Sequence, residues 1–192
     1  MKPIRAFFAI SLPESLQNPL KKILSSLKQD LPTKTIRWTT IENLHITLQF
    51  LREIEYAHLI QLIEIVRVEL KDATVFQLEL VNLELFPSVK RPRVVALQVE
   101  PHDVLADLSH RIGLGISAIN YPLERGQFRG HLTLGRIVRL DKNIHDVEAL
   151  RIPQIPKTEI NEICLFESKT GHKSQIYIPL EHFKLSSPIT PS

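Results

Sequence analysis

The sequence predicts an α+β protein with two related lobes, each an antiparallel sheet backed by helices, that face each other across a cleft. Three observations lead to this prediction. Apolar residues recur at helical spacing in three segments. Short runs with a period of two, which is typical of half-buried strands, occur around these segments without a regular β-α-β rhythm. The pattern His-x-Thr-Leu occurs at 45–48 and again at 131–134, which indicates internal repetition.

Length and composition are those of one globular domain. The 192 residues can bury a sizeable core, and 43% are hydrophobic and 23% charged. We expect one bilobal domain over residues 1–185 and a flexible tail over 186–192. The net charge of +3 only weakly favours a polyanionic partner. No apolar run approaches the roughly 20 residues that span a bilayer, so we expect a soluble, cytoplasmic protein. The sequence leaves the oligomeric state open, with a monomer as the default.

The first half of the chain alternates strands and helices. Residues 4–12 read as a strand, and the Ser-x-x-Glu pattern that starts at Ser11 predicts a side-chain cap for the helix that follows and ends at Pro32. Trp38, in the run before the first motif, is expected in the core, with a base-stacking surface as the alternative. The motif strand should end near Leu51, and a second amphipathic helix should follow over 56–71.

The second half has fewer helices and more strands. Its predicted elements are a strand or bent strand pair over 76–85, a strand over 94–99, a helix from 101, the second motif strand, a short helix over 141–150, and a strand pair over 160–167 and 175–185. The basic loop 86–93 could meet phosphate, although a solvated hairpin is the commoner explanation. Cys164 is expected to be a small core residue, and His102, His110 and His172 to be exposed.

Alternation within the two motif strands sets which side chains share a face. The first strand should place His45, Thr47 and Gln49 on one side and Ile46, Leu48 and Phe50 on the other. The second should place His131 and Thr133 on one side. Strict alternation puts Arg136 opposite His131, which excludes it from the site unless a bulge turns it. Two such strands side by side would direct two histidines and two threonines at one point.

The repeat is too specific to be a chance feature of composition. From the residue frequencies, His-x-Thr-Leu is expected about 0.06 times in this chain, whereas it occurs twice, each time in a strand-like context. A single outward His-x-Thr usually belongs to an ordinary surface strand. The paired motif therefore predicts a functional site rather than a structural coincidence.

Two histidines with two threonines are suited to acid–base chemistry on phosphorus. No Asp, Glu or Cys in the motifs completes a zinc site, and no Gly-x-Ser-x-Gly or phosphate-binding glycine loop occurs. Because the ordinary pKa of histidine is near 6.5, one imidazole can accept a proton from water while the other donates one to a leaving oxygen. Thr47 and Thr133 can donate hydrogen bonds to the non-bridging oxygens. A strained cyclic phosphate suits this arrangement.

The chain resembles the two-histidine (2H) phosphoesterases, and among them the RNA 2′,3′-cyclic phosphodiesterases, also called the 2′-5′ RNA ligase family. The segments that carry the resemblance are 5–13, 37–38, 42–51, 86–87, 92–95 and 128–136. The resemblance implies a bilobal fold with pseudo-two-fold symmetry. It also implies that His45 is the proton donor to the 3′ oxygen, that His131 is the proton acceptor that activates water, and that Thr47 and Thr133 bind the phosphate. It implies no metal and no nucleotide cofactor.

The resemblance also implies the substrate: RNA or nucleotides with 2′,3′-cyclic phosphate ends, hydrolysed to 2′-phosphomonoesters. The sequence departs from the usual pattern of the family at two places. Gly130 replaces the Pro that often precedes the second histidine, and the segment 171–177 is longer than the family's usual Gly-Pro-x-Tyr. Two alternative functions remain at this point. One is a 2′-5′ RNA ligase that joins cyclic-phosphate and 5′-hydroxyl ends, and the other is a non-catalytic RNA- or nucleotide-binding module.

Overall fold

A computed structural model describes residues 2–31, 35–124, 126–139, 142–171 and 175–187 of the chain. Its strands are β1 (Ile4–Ser11), β2 (Ile36–Trp38), β3 (His45–Ile54), β4 (Phe76–Phe86), β5 (Val94–Glu100), β6 (His131–Ile137), β7 (Thr158–Ile160), β8 (Glu162–Thr170) and β9 (Gln175–Lys184). Its α-helices are α1 (Glu14–Asp30), α2 (Leu59–Glu69) and α3 (His102–Ala118). Short 3₁₀ helices cover Ile41–Asn43, Tyr56–His58 and Lys142–Ala149.

The strands form one antiparallel sheet in the order β7-β4-β5-β6-β3-β1-β8-β9, and β2 also pairs with β6. The two halves of this order meet at β3 and β6, which are joined by a single residue pair, Ile46 with Leu132. Each half carries one copy of the repeated motif. The predicted α+β class, with antiparallel halves flanked by helices, is confirmed, and the two halves are continuous as one curled sheet.

The helices pack their apolar faces against one side of the sheet. The buried side chains of α1 recur at helical spacing, as the sequence predicted: Leu16, Leu20, Ile23, Leu24 and Leu27. Helices α2 and α3 pack against each other, and α3 also lies against β3. Gly115 allows this approach, since a Cβ at that position would lie 2.6 Å from Val66 Cγ2. Across the described residues, no helix combines the length and hydropathy that a bilayer crossing requires.

Several local predictions are confirmed. Cys164 is a core residue, 1% exposed, and burial raises the pKa of its thiol to about 12. Trp38 is partly buried against the core. His102 and His110 are exposed. The segment predicted as a strand or a bent strand pair is one strand, β4, whose register against β5 shifts between Leu80 and Leu83.

Other local predictions are wrong or lie outside the described ranges. Ser11 does not cap α1, because it is the last residue of β1; the helix begins after Pro13 and has no side-chain cap. Strand β8 continues to Thr170, beyond the predicted end at residue 167. His172 lies outside the described residues, and so do residues 188–192, which form most of the predicted flexible tail. Ser186 donates a backbone hydrogen bond to Ala73 O (2.8 Å).

Candidate active site

The sheet brings both histidines and both threonines of the repeated motif together. Ile46 and Leu132 are opposed across β3 and β6 and are both fully buried. Continuing this antiparallel register by one residue in each direction places His45 beside Thr133 and Thr47 beside His131, all four on the opposite face of the sheet. All four are half-buried. Each histidine therefore has the threonine of the other motif as its neighbour, which is a pseudo-two-fold arrangement.

Both motif strands contain a β-bulge at the leucine that follows the threonine. On β3, Thr47 and Gln49 pair with consecutive residues of β1, which leaves Leu48 unpaired. On β6, Thr133 and Gly135 pair with consecutive residues of β5, which leaves Leu134 unpaired. A bulge shifts the alternation of every later residue by one. The residue five positions after each histidine therefore returns to the face that the histidine occupies.

The first bulge overturns the predicted positions of Gln49 and Phe50. Gln49 Nε2 donates hydrogen bonds to the carbonyl oxygen and to Oγ of Ser109 on α3, both at 3.0 Å, so this side chain points to the helix side of the sheet. The Phe50 ring lies 5.9 Å from the ring of Phe7, which in turn lies 4.9 Å from the His45 ring. Phe50 therefore shares the face of His45, contrary to strict alternation.

The second bulge brings Arg136 into the site from which alternation had excluded it. Arg136 is paired with Val94 on β5 and is exposed on the face of His131 and Thr133. Its charge lowers the pKa of His45, His131 and Tyr177, so the guanidinium lies within electrostatic reach of both motif histidines. Among the described residues, Arg136 is the one arginine that acts on both rings.

The two histidines are held by equivalent hydrogen bonds. His45 Nδ1 lies 2.7 Å from the carbonyl oxygen of Asn43, and His131 Nδ1 lies 3.0 Å from that of Arg129. Because a carbonyl oxygen only accepts, each Nδ1 must carry a proton and donate it. The other ring nitrogen, Nε2, accepts a proton in the neutral imidazole and donates it in the protonated one. Each motif thus fixes its histidine through the residue two positions earlier.

Aromatic rings cover both imidazoles. The rings of His45, Phe7 and Tyr177 form a three-membered cluster, with Phe7 and Tyr177 centroids 4.9 Å and 5.1 Å from that of His45 and 4.9 Å from each other. His131 stacks on Phe86 at 3.9 Å with the two planes inclined by 22°. The Arg129 guanidinium lies 4.9 Å from the Phe86 centroid. These contacts limit the rotation of the imidazoles and exclude water from their faces.

Burial is the main influence on the protonation of both histidines. It lowers the pKa of His45, against the hydrogen bond to Asn43 O, which raises it. It also lowers the pKa of His131, while the hydrogen bond to Arg129 O and the nearby Glu84 carboxylate raise it. Burial raises the pKa of Tyr177. Both imidazoles are therefore neutral near pH 7 until an anion binds beside them.

An open cavity of about 120 Å³ adjoins His45 and includes Ser11, Gln17, Asn43 and Tyr177 among its lining residues. Asn43 Nδ2 donates a hydrogen bond to Gln175 O (2.8 Å), which ties this wall to the start of β9. In the part of the chain that the structure describes, no three His, Cys, Asp or Glu side chains are grouped as metal ligands would be.

The sequence did not identify five other residues of this site: Phe7, Glu84, Phe86, Arg136 and Tyr177. Phe7, Glu84, Phe86 and Tyr177 come from strands other than the two motif strands, which periodicity within one segment cannot bring together, whereas Arg136 is turned into the site by the bulge in β6. In the structure the Glu84 carboxylate is only 8% exposed, and a charged group at that depth needs a partner. Its partner is Arg129, with Nη2 3.5 Å from Oε2.

Sequence comparison connects this site to known phosphoesterases. Residues 10–96 match the family model of LigT-like phosphoesterases. An RNA 2′,3′-cyclic phosphodiesterase of Aquifex aeolicus is 30% identical over 190 residues, covering 96% of this chain and 99% of that protein. Another, of Methanothermobacter thermautotrophicus, is 27% identical over 185 residues, covering 95% and 99%.

Solved structures show the same fold. TT0787 of Thermus thermophilus superposes with a TM-score of 0.78 at 23% identity, covering 96% of this chain and all of that one. Escherichia coli LigT in its apo form has a TM-score of 0.77 at 22% identity, covering 97% and 100%. The solved structures share the fold, and the near full-length relative in Aquifex aeolicus shows that the chain belongs to the RNA 2′,3′-cyclic phosphodiesterases, a family of LigT-like 2H phosphoesterases.

Proposed function

We propose that the protein hydrolyses 2′,3′-cyclic phosphate ends of RNA or nucleotides to 2′-phosphomonoesters. The observation that carries this proposal is the exchange of partners across the pseudo-two-fold: His45 is beside Thr133 and Thr47 is beside His131. A phosphate between the two strands meets one imidazole and one hydroxyl on each side. The curated relatives at 27% and 30% identity, which carry the name RNA 2′,3′-cyclic phosphodiesterase, support the same substrate class.

The reaction needs one proton acceptor and one proton donor. His131 Nε2 takes a proton from water, and the water oxygen forms a bond to phosphorus. The bond from phosphorus to the 3′ oxygen breaks, and His45 Nε2 gives its proton to that oxygen. The proton gained by His131 and the proton lost by His45 balance, and exchange with solvent restores both rings. The phosphate remains on the 2′ oxygen.

Hydroxyls and a guanidinium stabilise the charge that develops on phosphorus. The structure gives no hydrogen bond from either side-chain hydroxyl of Thr47 or Thr133 to any described residue, so both can donate to the non-bridging oxygens. Arg136 supplies a positive charge on the same face. The anion also favours protonation of the adjacent imidazole, which burial disfavours in the free protein. Substrate binding thus favours the uptake from solvent of the proton that the donor needs.

The test is an incubation with an oligonucleotide that ends in a 2′,3′-cyclic phosphate, in the presence of EDTA. Wild type, His45→Ala and His131→Ala are compared with His110→Ala, an exposed histidine on α3 that controls for the loss of an imidazole. We expect a 2′-phosphate end from wild type and from His110→Ala. Loss of either motif histidine should reduce the rate by roughly 10²–10⁴-fold, the range for one acid–base group.

The other outcomes identify the alternatives. If a 5′-hydroxyl RNA is present and the ends are joined, the same site acts as a 2′-5′ ligase. Binding without turnover would leave an RNA- or nucleotide-binding module. A 3′-phosphate product would contradict the proposed direction of ring opening, and activity that EDTA abolishes would contradict metal-independent chemistry.

A further inference from the structure

Two arginines lie directly opposite each other on the cleft face of the sheet. Arg37 of β2 is the cross-strand partner of Arg136 of β6. Opposed residues in an antiparallel pair project to the same face, with Cβ atoms about 4.5–5.5 Å apart. Arg37 is therefore on the face of His131 and Thr133, one strand beyond Arg136. Both side chains are exposed.

Neither guanidinium is neutralised by the protein. Among the described residues, no ion pair and no side-chain hydrogen bond involves Arg37 or Arg136. Like charges directly opposite each other destabilise a sheet. Two arginines in this arrangement are retained at a cost in stability, which an anion bound between or above them would offset. Planar guanidinium groups are suited to phosphate, which they can bind through two parallel hydrogen bonds.

The position of Arg37 is rigid because β2 packs closely on β6. A Cβ on Gly135 would lie 2.6 Å from Ile36 Cγ2 and 3.0 Å from Trp38 Cε3, so the residues on both sides of Arg37 lie directly against the glycine. Thr39 N donates a hydrogen bond to Leu134 O (2.8 Å), which fixes the end of β2 at the second bulge. Arg37 is therefore presented from a fixed backbone rather than from a loop.

The two arginines differ in their distance from the chemistry. Arg136 lowers the pKa of both motif histidines, whereas Arg37 is not among the groups that shift either pKa. Arg136 lies on the motif strand of His131, and Arg37 lies one strand further away, placed to meet a second anion. In an RNA that ends in a cyclic phosphate, the only neighbouring phosphate of the same strand is on the 5′ side of the terminal nucleotide.

We propose that Arg37 binds the phosphate on the 5′ side of the terminal nucleotide and so makes the enzyme prefer RNA ends and 5′-phosphorylated nucleotides over a bare nucleoside cyclic phosphate. This inference rests on the proposed function, because it assumes that the cyclic phosphate occupies the site between the histidines. It adds a substrate subsite without a role in the bond-breaking step. Removing Arg37 should therefore affect only substrates that carry the second phosphate.

The test compares adenosine 2′,3′-cyclic phosphate with a 5′-hydroxyl or a 5′-phosphate, using wild type, Arg37→Gln, Arg37→Lys and Arg151→Gln. Arg151 is an exposed arginine of the connector before β7 and controls for the loss of one positive charge. For the 5′-phosphorylated substrate, Arg37→Gln should raise KM roughly tenfold, the scale of one charge-assisted hydrogen bond, with kcat unchanged. Arg37→Lys should have an intermediate effect, and Arg151→Gln none.

Binding of the products provides a readout that does not depend on turnover. Equilibrium titration with adenosine 2′,5′-bisphosphate and adenosine 2′-phosphate should show tighter binding of the bisphosphate by wild type, and Arg37→Gln should lose that preference. For a single-stranded oligonucleotide, the slope of log affinity against log salt concentration should be smaller in magnitude for Arg37→Gln than for wild type by about 0.7, the value for one phosphate contact.

The outcomes separate the two proposals. If wild type hydrolyses neither nucleotide, the proposed function is wrong, and the titrations alone decide whether Arg37 senses a second phosphate. If wild type hydrolyses both equally well, or if Arg37→Gln impairs the two substrates by the same factor, the subsite is overturned while the proposed function stands.

Discussion

Phe86 and His131 are stacked face to face, with ring centroids 3.9 Å apart and planes inclined by 22°. Phe86 is the last residue of β4, two strands away from His131 in the sheet order, and its partner on β5 is Val94 rather than Gln98, the partner of His131. The phenyl ring removes water from one face of the imidazole, and burial is the main reason that the pKa of His131 is low. The phenyl ring is thus part of the electrostatics of the site as well as of its packing.

The substitution Phe86→Ala should raise the pKa of His131 towards its ordinary value, because water regains access to the ring. The measurement is a titration of the histidine ring carbons and protons by NMR. Phe50→Ala is the matched control, since Phe50 is on the cleft face but its aromatic partner is Phe7. A His131 pKa that stays in place or falls in Phe86→Ala would contradict the role given to burial.

The substitution Arg136→Gln should raise the pKa of both His45 and His131, because the arginine charge lowers both. We also expect kcat/KM to fall by roughly 10²-fold, as on removal of one donor to a developing oxyanion. Arg37→Gln removes the same charge from the adjacent position and should leave both pKa values in place. If the histidine pKa values shift equally in the two variants, only the net charge matters. That result would contradict the position next to the histidines that the bulge gives Arg136.

A substrate with a better leaving group should separate the roles of the two histidines. The Glu84 carboxylate raises the pKa of His131, whereas no carboxylate of the described residues raises the pKa of His45. The free protein therefore does not favour protonation of His45, the proposed donor, over protonation of His131. A cyclic substrate with sulfur in place of the 3′ oxygen needs no acid, since a thiolate leaves unprotonated. It should therefore restore most of the activity of His45→Ala.

The sulfur substrate should not restore the activity of His131→Ala, because the attacking water still needs a base to take its proton. Both single variants are assayed on the oxygen and sulfur substrates under identical conditions. Rescue of His131→Ala in place of His45→Ala would exchange the two assignments. The double variant should be little worse than either single variant on the oxygen substrate, because the two groups act as a unit.

What the sequence could predict was set by local patterns. Strand β1 follows from a short run rich in Phe and Ile, the motif strand β3 from alternation, and α1 from the spacing of Leu16, Leu20 and Leu27. The four motif residues could be placed together because the pattern was repeated. Phe86 could not be assigned to His131, because no periodicity within a segment shows which strands will be adjacent.

The bulges explain why Arg136 and Gln49 were misplaced. Period-two alternation holds only while every residue of a strand is paired, and Leu48 and Leu134 are unpaired. The second unpaired residue precedes Gly135, and glycine within a strand is a recognised sign of a bulge or of close backbone approach. The sequence therefore held a signal for Arg136, whereas Gln49 on β3 had no such marker.

Burial of two neutral histidines should make the protein less stable in mild acid. Both folded-state pKa values are below the value near 6.5 of an unfolded chain, so below that pH the unfolded state binds more protons than the folded one. Their contribution to stability is complete above about pH 6.5 and decreases as the pH falls towards the folded pKa values. Each unit of difference corresponds to about 1.4 kcal/mol.

His45→Gln and His131→Gln should each reduce the loss of stability between about pH 8 and pH 5, since glutamine does not titrate and its amide can still donate to the carbonyl of Asn43 or Arg129. Urea unfolding at both pH values measures the effect, with His110→Gln as the control. A pH dependence that is the same in all four proteins would show that the motif histidines are not buried in their neutral form.

Two glycines should respond in opposite ways to alanine. At Gly135 the new Cβ would lie 2.6 Å from Ile36 Cγ2 and 3.0 Å from Trp38 Cε3, neither of which is the end of a flexible side chain. Overpacking of this kind costs about 1–3 kcal/mol. At Gly113, within α3, the nearest atoms are Gln49 Nε2 at 3.4 Å and Leu123 Cδ1 at 3.5 Å, which are ordinary contacts.

Gly113→Ala should therefore gain up to about 1 kcal/mol from helix propensity, while Gly135→Ala loses stability. Urea unfolding at one pH measures both. Because Gly135 holds β2 against β6, Gly135→Ala should also move Arg37 and weaken binding of adenosine 2′,5′-bisphosphate, which Gly113→Ala should leave unchanged. If Gly135→Ala is as stable as wild type, β2 does not pack as closely on the second bulge as the structure shows. Arg37 would then not be held in a fixed position either.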